Sequence, residues 1–406
     1  MVQWFRFLKR NQPLAVYFFA VPYLSLNLMG YWPGNREDRL PFRALVHFVI
    51  LAIGVLTELH AGLLFLDQQQ ITLALETLCP AGTSAVTLLK MFLMLRYRSD
   101  LCDMWTRLRE LLFEIQKERP EQRRIRLRHS VMAARINFWP LSTGFFTCTT
   151  YNLKPILMSL VLFLQQRGDQ ILWVTPFNMT MPPVLLRSPF FPLTYIFIAY
   201  TGYVTIFMFG GCDGFYFEFC AHISALFEVL QAEIQAIFKP YKDLLQLSPL
   251  QLYNLEQEMR SIIIKHNSII DLTKFFRKRY AIITLAHFVS AGMVIGFSMV
   301  NLLTVGTNGL GALLYVAYTI AALSQLLVYC YGGTLVAESS VQLSRVMGSC
   351  PWHLLSPVQR RLVLLLILRS QRALSMAVPF FSPSLATFAS ILQTSGSIIA
   401  LVKSFQ

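Results

Sequence analysis

The sequence predicts an all-α, polytopic membrane protein with seven transmembrane helices, a cytoplasmic amino terminus and an extracellular carboxyl terminus. Of its 406 residues, 55% are apolar and only 14% are charged, too few charges to cover a soluble protein of this length. Several apolar runs reach about 20 residues, the length that a helix needs to cross a bilayer. The basic residues are concentrated in alternate connecting segments, the pattern that orients membrane proteins.

The apolar runs give the order of the predicted spans. They begin near Ala44, Ile71, Asn137, Phe191, Tyr280 and Gly309, and the last extends from about Ser384 to Phe405. An eighth apolar stretch, Leu14 to Trp32, contains Pro22 and Gly30 and ends in a Trp-Pro-Gly turn. We predict that this stretch is interfacial or re-entrant, because a crossing there would turn the basic connectors outward.

Charge sets the predicted orientation. Segments 1–43, 95–135, 226–279 and 338–372 hold 30 of the 35 lysines and arginines. The positive-inside rule places these segments in the cytoplasm and accounts for the net charge of +14 without a nucleic-acid partner. The sequon Asn178-Met179-Thr180 then falls in an extracellular loop, which predicts glycosylation of Asn178.

Four regions follow from this pattern. Residues 1–43 form a cytoplasmic or interfacial segment, and residues 44–335 form a six-span bundle. Apolar residues recur at helical spacing in 99–128 and 221–275, which predicts cytoplasmic extensions of the spans. Residues 336–379 form a cytoplasmic helical anchor, and residues 380–406 form the last transmembrane helix.

Several functional classes are disfavoured. Paired carboxylates at catalytic spacing, phosphate-binding loops and metal clusters are missing from the sequence, so we expect neither an enzyme nor a cofactor or metal. A cytoplasmic amino terminus reverses the arrangement of G-protein-coupled receptors, and the third span lacks the Asp/Glu-Arg-Tyr motif of that class. A secondary transporter would show inverted repeats, which are not apparent in the sequence.

The last eighty residues carry specific motifs. They comprise the run from Gln325 to Gly333 (QLLVYCYGG), then Glu338, Ser339 and Trp352, the run LLLILRSQ at 364–371, and FFSPSLATFASILQTS at 380–395. This pattern closely resembles the carboxyl-terminal signature of insect odorant receptors. It is similar to the ligand-tuned members rather than the shared co-receptor, which has a longer second cytoplasmic loop. The chain departs from the family at Ala373, where proline is usual, and at 376–379.

The resemblance implies a function. A ligand-tuned member would form a heterotetramer with the co-receptor in the plasma membrane of olfactory sensory neuron dendrites. It would bind a small volatile odorant in a pocket in the outer half of the bundle 44–335. It would open a non-selective cation pore, lined by the last helix of each subunit (380–406), without a G protein. A gustatory-type ligand-gated channel and a G-protein-coupled chemoreceptor are the alternative interpretations.

The last span has a polar stripe. On a helix, Gln393, Ser397, Ala400 and Ser404 lie within about 60° of one another and could face water, although small residues also permit close helix packing. By resemblance, Leu401 matches the hydrophobic constriction of the family's pore, and Ser404 and Phe405 would lie at its outer mouth.

Ligand-binding residues are predicted where aromatic and hydroxyl side chains gather in the presumed outer half of the bundle. The predicted set comprises Thr83 and Ser84 on the second span, Phe145, Phe146, Cys148 and Thr149 on the third, Tyr195, Tyr200 and Tyr203 on the fourth, and Tyr315 and Tyr318 on the sixth. Apolar walls with few polar groups suit a small neutral volatile. Ordinary packing within the bundle is the alternative for each aromatic taken singly.

Overall fold

The computed structural model describes residues 6–9, 11–34, 41–113, 119–165, 174–241, 248–305 and 310–404. Side chains are not described at 302–305, 310–314 and 398–404. The helices are α1 (Leu14–Tyr17), α2 (Ala20–Met29), α3 (Phe42–Asp67), α4 (Ile71–Arg96), α5 (Arg98–Phe113), α6 (Pro120–Leu164), α7 (Phe191–Phe238), α8 (Pro249–Val305), α9 (Leu310–Ser349), α10 (Pro357–Ser370) and α11 (Leu385–Ser404).

Six described helices, α3, α4, α6, α7, α8 and α9, are long and apolar enough to cross a membrane. The last helix, α11, has 20 residues, close to the length needed for a crossing. The all-α, membrane-spanning fold class is thus confirmed, while the orientation stays a prediction.

Two of the spanning helices begin earlier in the chain than the apolar runs of the sequence. Helix α6 begins at Pro120, well before the predicted start near Asn137, and α8 begins at Pro249 rather than near Tyr280. Each of these helices continues without interruption from a charged segment into an apolar one. The reason is that the charged residues after Pro120 and after Pro249 already have the apolar periodicity of a helix, so the helix continues where the charge ends.

The central element is α7, which packs against α6, α9, α2, α8 and α4. All residues from Met208 to Phe227 are buried on every face of this helix. A helix that is buried all round lies in the interior of a bundle. The other long helices are therefore arranged around it.

The amino-terminal stretch Leu14–Trp32 does not form one spanning helix. The chain turns at Phe19, whose φ is +52°, and α2 then extends for 10 residues, only about 15 Å. That length is about half of the hydrocarbon core of a bilayer. Helix α2 packs instead along α7, and the φ of +82° at Gly30, a conformation that glycine adopts readily, ends it.

Candidate functional site

A cavity opens in the bundle between α3, α4, α6, α7, α8 and α9. Its lining atoms bound about 720 Å³ of space, a volume that includes the open side. The lining comprises Glu58, Pro80, Thr83, Ser84, Gly144, Thr147, Cys148, Tyr151, Phe177, Met179, Thr201, Gly202, Thr205, Ile206, Phe209, Val294, Tyr318, Ala321, Ala322 and Gln325. Most of these side chains are apolar or aromatic, so the cavity suits a small and largely apolar ligand.

Aromatic rings shape the wall of the cavity. The rings of Tyr151 and Phe177 stack with centroids 5.5 Å apart, and Tyr318 meets Tyr151 edge-on at 6.3 Å. The Tyr318 hydroxyl forms a hydrogen bond of 2.8 Å with the hydroxyl of Thr83. Because Thr83 also donates to the carbonyl of Pro80, it accepts this hydrogen bond, and the orientation of the Tyr318 ring is fixed.

The sequence anticipated part of this lining. Four predicted ligand residues line the cavity, namely Thr83, Ser84, Cys148 and Tyr318. They come from α4, α6 and α9, three helices that are distant in sequence. Their roles in ligand binding stay predictions, now supported by a common location.

The other seven predicted ligand residues do not line the cavity. Phe145 and Phe146 are exposed on α6, and Tyr315 is buried one turn before Tyr318. The hydroxyl groups of Thr149 and Tyr203 share a hydrogen bond of 3.2 Å. The Tyr195 hydroxyl donates to the carbonyl of Asn152, and the Tyr200 hydroxyl lies 2.8 Å from Nε2 of His47. Whether each of these side chains faces the cavity depends on the rotation of its helix, which residue type alone does not predict. Their ligand-binding role also stays a prediction.

Sequence reasoning missed several lining residues. Glu58 on α3 was recognisable as an ionisable group inside an apolar span, a frequent sign of function. Tyr151 and Thr201 carry no such signal. Phe177 and Met179 lie in the loop before α7, and their approach to the cavity depends on the path of that loop.

The loop at 174–182 covers the cavity and is tied to two helices. Its Thr180 N–H donates to the carbonyl of Thr57 at 3.1 Å, and the Thr180 hydroxyl lies 3.0 Å from Nδ1 of His60. The side-chain amide of Asn178 donates to the Thr77 hydroxyl at 3.0 Å. Glycosylation at Asn178 stays a prediction.

A polar cluster lies next to the cavity within the apolar bundle. Nζ of Lys90 on α4 is 2.6 Å from Oδ1 of Asp213 on α7, and both side chains are almost fully buried. The Tyr329 hydroxyl donates to the same Oδ1 at 2.7 Å, and the His287 ring lies 3.6 Å from Oδ2. The Lys90 ammonium also sits 3.4 Å from the centre of the Phe209 ring, which lines the cavity. The charges of Lys90 and Asp213 thus compensate each other within one interior cluster, while Oδ2 of Asp213 and Nε2 of His287 have no hydrogen-bond partner among the described residues.

The predicted pore residues lie on or after α11. Gln393 and Ser397 are exposed in the single chain, and Ser397 donates to the carbonyl of Gln393 at 3.0 Å. Ala400, Leu401 and Ser404 belong to the same helix, but their side chains, like the whole of Phe405, lie outside the described residues. The pore assignments therefore stay predictions.

Among the residues that the structure describes, no three His, Cys, Asp or Glu side chains come together as a metal site would require.

A family model, two relatives and a solved structure that resemble this chain agree with one another. A family model described as 7tm Odorant receptor matches residues 70–396. Odorant receptor 10a of Drosophila melanogaster is 79% identical over 406 residues and 100% of both chains. Odorant receptor 24a of the same species is 33% identical, over 98% of this chain and 99% of the relative. The solved structure of the olfactory receptor OR5 from Machilis hrabei in complex with eugenol matches the fold with a TM-score of 0.76 at 15% identity, over 96% of this chain and 100% of that one.

Proposed function

Because the chain belongs to the insect odorant receptor family, as a tuned, odorant-binding membrane receptor and not an enzyme, we propose that its cavity is the odorant site and that ligand binding opens a non-selective cation channel. The channel would be a heterotetramer with the family's co-receptor, in the dendritic membrane of olfactory sensory neurons. The observation that carries the proposal is the cavity, whose aromatic walls lie inside the bundle.

The chemistry of the cavity agrees with a volatile ligand. Burial of roughly 200–300 Å² of ligand surface at about 25 cal/mol per Å² would contribute about 5–7 kcal/mol before entropic costs. Such a ligand needs few directed hydrogen bonds, and most hydroxyl groups of the lining already bond to neighbouring protein groups. Those of Thr83, Thr147, Thr201 and Thr205 each donate to a backbone carbonyl in the same helix.

Two surfaces support an assembly of subunits. Helix α10 exposes Val358, Leu365 and Leu368, which are 69%, 61% and 58% accessible in the single chain. Apolar exposure of this kind on a charged anchor helix is typical of a subunit interface. Most of the described part of α11 is likewise uncovered, as expected of a helix that faces neighbouring subunits and an axis.

Voltage clamp of cells that express the chain with the co-receptor tests the proposal. A broad panel of volatiles is applied in pulses, with and without a non-hydrolysable GTP analogue in the cell. We expect a current that reverses near zero millivolts and is independent of the nucleotide. Surface-expressed heteromers that give no current with any volatile would contradict the proposal, and a current dependent on GTP would favour the G-protein alternative.

Replacement of Tyr318 by alanine is expected to raise the half-maximal concentration of an activating volatile by about tenfold. The change removes an aromatic wall and the hydrogen bond that Tyr318 donates to Thr83, and the loss of a buried hydrogen bond costs about 1–3 kcal/mol. The control is Ile196→Ala, which shortens a side chain that is 63% exposed on α7. An unchanged dose–response curve over the whole panel would exclude Tyr318 from the odorant site.

Replacement of Leu401 by alanine is expected to raise the leak current of the heteromer in the absence of odorant. A smaller side chain widens a hydrophobic constriction and weakens its dewetting. The control is Leu392→Ala, which removes a leucine from an earlier turn of α11. Equal leak currents at equal surface expression would contradict the assignment of Leu401 to the gate.

A further inference from the structure

The carboxyl group of Glu58 is unusual among the polar groups of the cavity. The residue is only 2% exposed and lines the cavity from α3, yet it forms no hydrogen bond or ion pair within the described part of the chain. The hydroxyl groups of the lining threonines have partners, as described above. Tyr151 and Gln325 also lack a hydrogen bond to described residues, but both are more exposed than Glu58. Glu58 is therefore the buried polar group whose bonding capacity remains open toward the cavity.

Burial determines what this group can offer a ligand. An isolated carboxylate in an apolar cavity is far more costly than a neutral carboxyl group unless a cation compensates it. The lysines on the neighbouring helices are committed elsewhere, since Lys90 pairs with Asp213 and Lys154 lies 4.0 Å from Glu76. We therefore take the group that faces the cavity to be the neutral acid, which has one O–H to donate.

We propose that Glu58 selects the odorant by donating a hydrogen bond to an oxygen acceptor, so that the site prefers neutral oxygenated volatiles to hydrocarbons of the same shape. This inference rests on the proposed function of the cavity. The position of Glu58 supports it: its carboxyl group and the Tyr318 ring line the same cavity, so one ligand can meet both an aromatic wall and a hydrogen-bond donor. A site built to hydrogen-bond a ligand discriminates strongly against an analogue that cannot do so.

The test compares ketones with the alkenes in which C=CH₂ replaces C=O, because the two members of each pair have nearly the same shape. Cyclohexanone with methylenecyclohexane, and 2-heptanone with 2-methyl-1-heptene, are applied to the heteromer under voltage clamp. Cyclohexylamine probes the alternative in which Glu58 is an anion that binds a cation. We expect at least one ketone to act at a concentration about tenfold lower than its alkene, the difference that one hydrogen bond to a buried group produces.

Three variants identify the source of this preference. Glu58→Leu is expected to abolish the preference for the ketone, and Glu58→Gln is expected to keep most of it, because the amide still donates. If Glu58→Leu does not reach the surface, the Glu58→Gln variant distinguishes the neutral acid from the carboxylate anion. Loss of a cyclohexylamine response in Glu58→Gln would show that Glu58 binds a cation as an anion, and would overturn the proposal. Glu76→Gln, which changes a carboxyl group outside the lining, is the matched control and should leave every ratio unchanged.

Failure of this inference is distinguishable from failure of the proposed function. A heteromer that responds to other volatiles in the panel but to no ketone, or that does not distinguish ketones from alkenes, would overturn the role of Glu58 alone. A heteromer that is present at the surface and responds to no volatile would contradict the odorant site itself.

Discussion

Replacement of Lys90 by methionine is expected to lower the apparent unfolding temperature of the receptor in detergent by several degrees and to reduce its surface expression. The change leaves the Asp213 carboxylate buried without the cation that lies 2.6 Å away in the intact protein. Removing one member of a buried ion pair typically costs about 3–5 kcal/mol. This loss of stability is measured on tagged, detergent-solubilised receptor. Samples are heated, and the fraction that remains folded is determined by size-exclusion chromatography.

A second variant separates the charge effect from a loss of packing. In Lys90→Met/Asp213→Leu both charges are gone, and we expect the double variant to recover more than half of the lost stability, because apolar replacement of a buried pair is often neutral. The matched control is Lys265→Met, which breaks the ion pair with Glu233 at the surface of the bundle, where the side chains are 45% and 21% exposed. Exposed pairs contribute at most about 1 kcal/mol. If Lys90→Met were no less stable than Lys265→Met, the buried pair would have no structural role.

Replacement of Gly333 by alanine is expected to remove most of the maximal odorant current. A Cβ atom at this position of α9 would lie well under 3.0 Å from the backbone carbonyl of Pro383, a rigid group that cannot rotate away. Pro383 lies two residues before α11, and the Leu385 N–H donates to the Thr334 hydroxyl of α9 at 2.9 Å. The added methyl group would therefore displace the start of the predicted pore helix, at a cost of about 1–3 kcal/mol.

The same helix supplies the control for this variant. At Gly348 a Cβ atom would meet nothing within 4 Å, so Gly348→Ala should leave the current unchanged and could stabilise α9 by up to about 1 kcal/mol. Currents are compared at equal surface expression of the two variants. Equal currents would show that the contact between Gly333 and Pro383 does not constrain the last helix.

Close contacts of α9 account for part of the carboxyl-terminal signature that resembles insect odorant receptors. On α9, Tyr329 and Gly332 contact α7, and Gly333 contacts the segment before α11. Tyr329 donates to Asp213 in the interior cluster, a Cβ on Gly332 would meet Cys220 and Phe217 of α7 at 3.2 Å, and Gly333 adjoins Pro383. A motif that was read as a family resemblance is, in physical terms, a set of close contacts between α9 and its two neighbours.

Residue type alone identifies only part of the cavity lining. Thr83, Ser84, Cys148 and Tyr318 were selected from the sequence and line the cavity, whereas Phe146, chosen by the same reasoning, is 67% exposed on the outer face of α6. Aromatic residues are favourable both in a ligand site and on a face toward lipid or a partner. Composition therefore cannot distinguish the two locations, and the rotation of each helix in the bundle does.

Apolar runs of spanning length and the carboxyl-terminal motifs are local properties of the chain, so they identify an all-α membrane receptor of the odorant receptor family without a structure. The fold, in contrast, establishes which side chains meet. It paired Lys90 with Asp213, which are 123 residues apart, and brought Phe177 and Glu58 to the wall of one cavity. These contacts depend on helix rotation and on the path of a loop, both of which are set by packing among many residues and not by the pattern of any one segment.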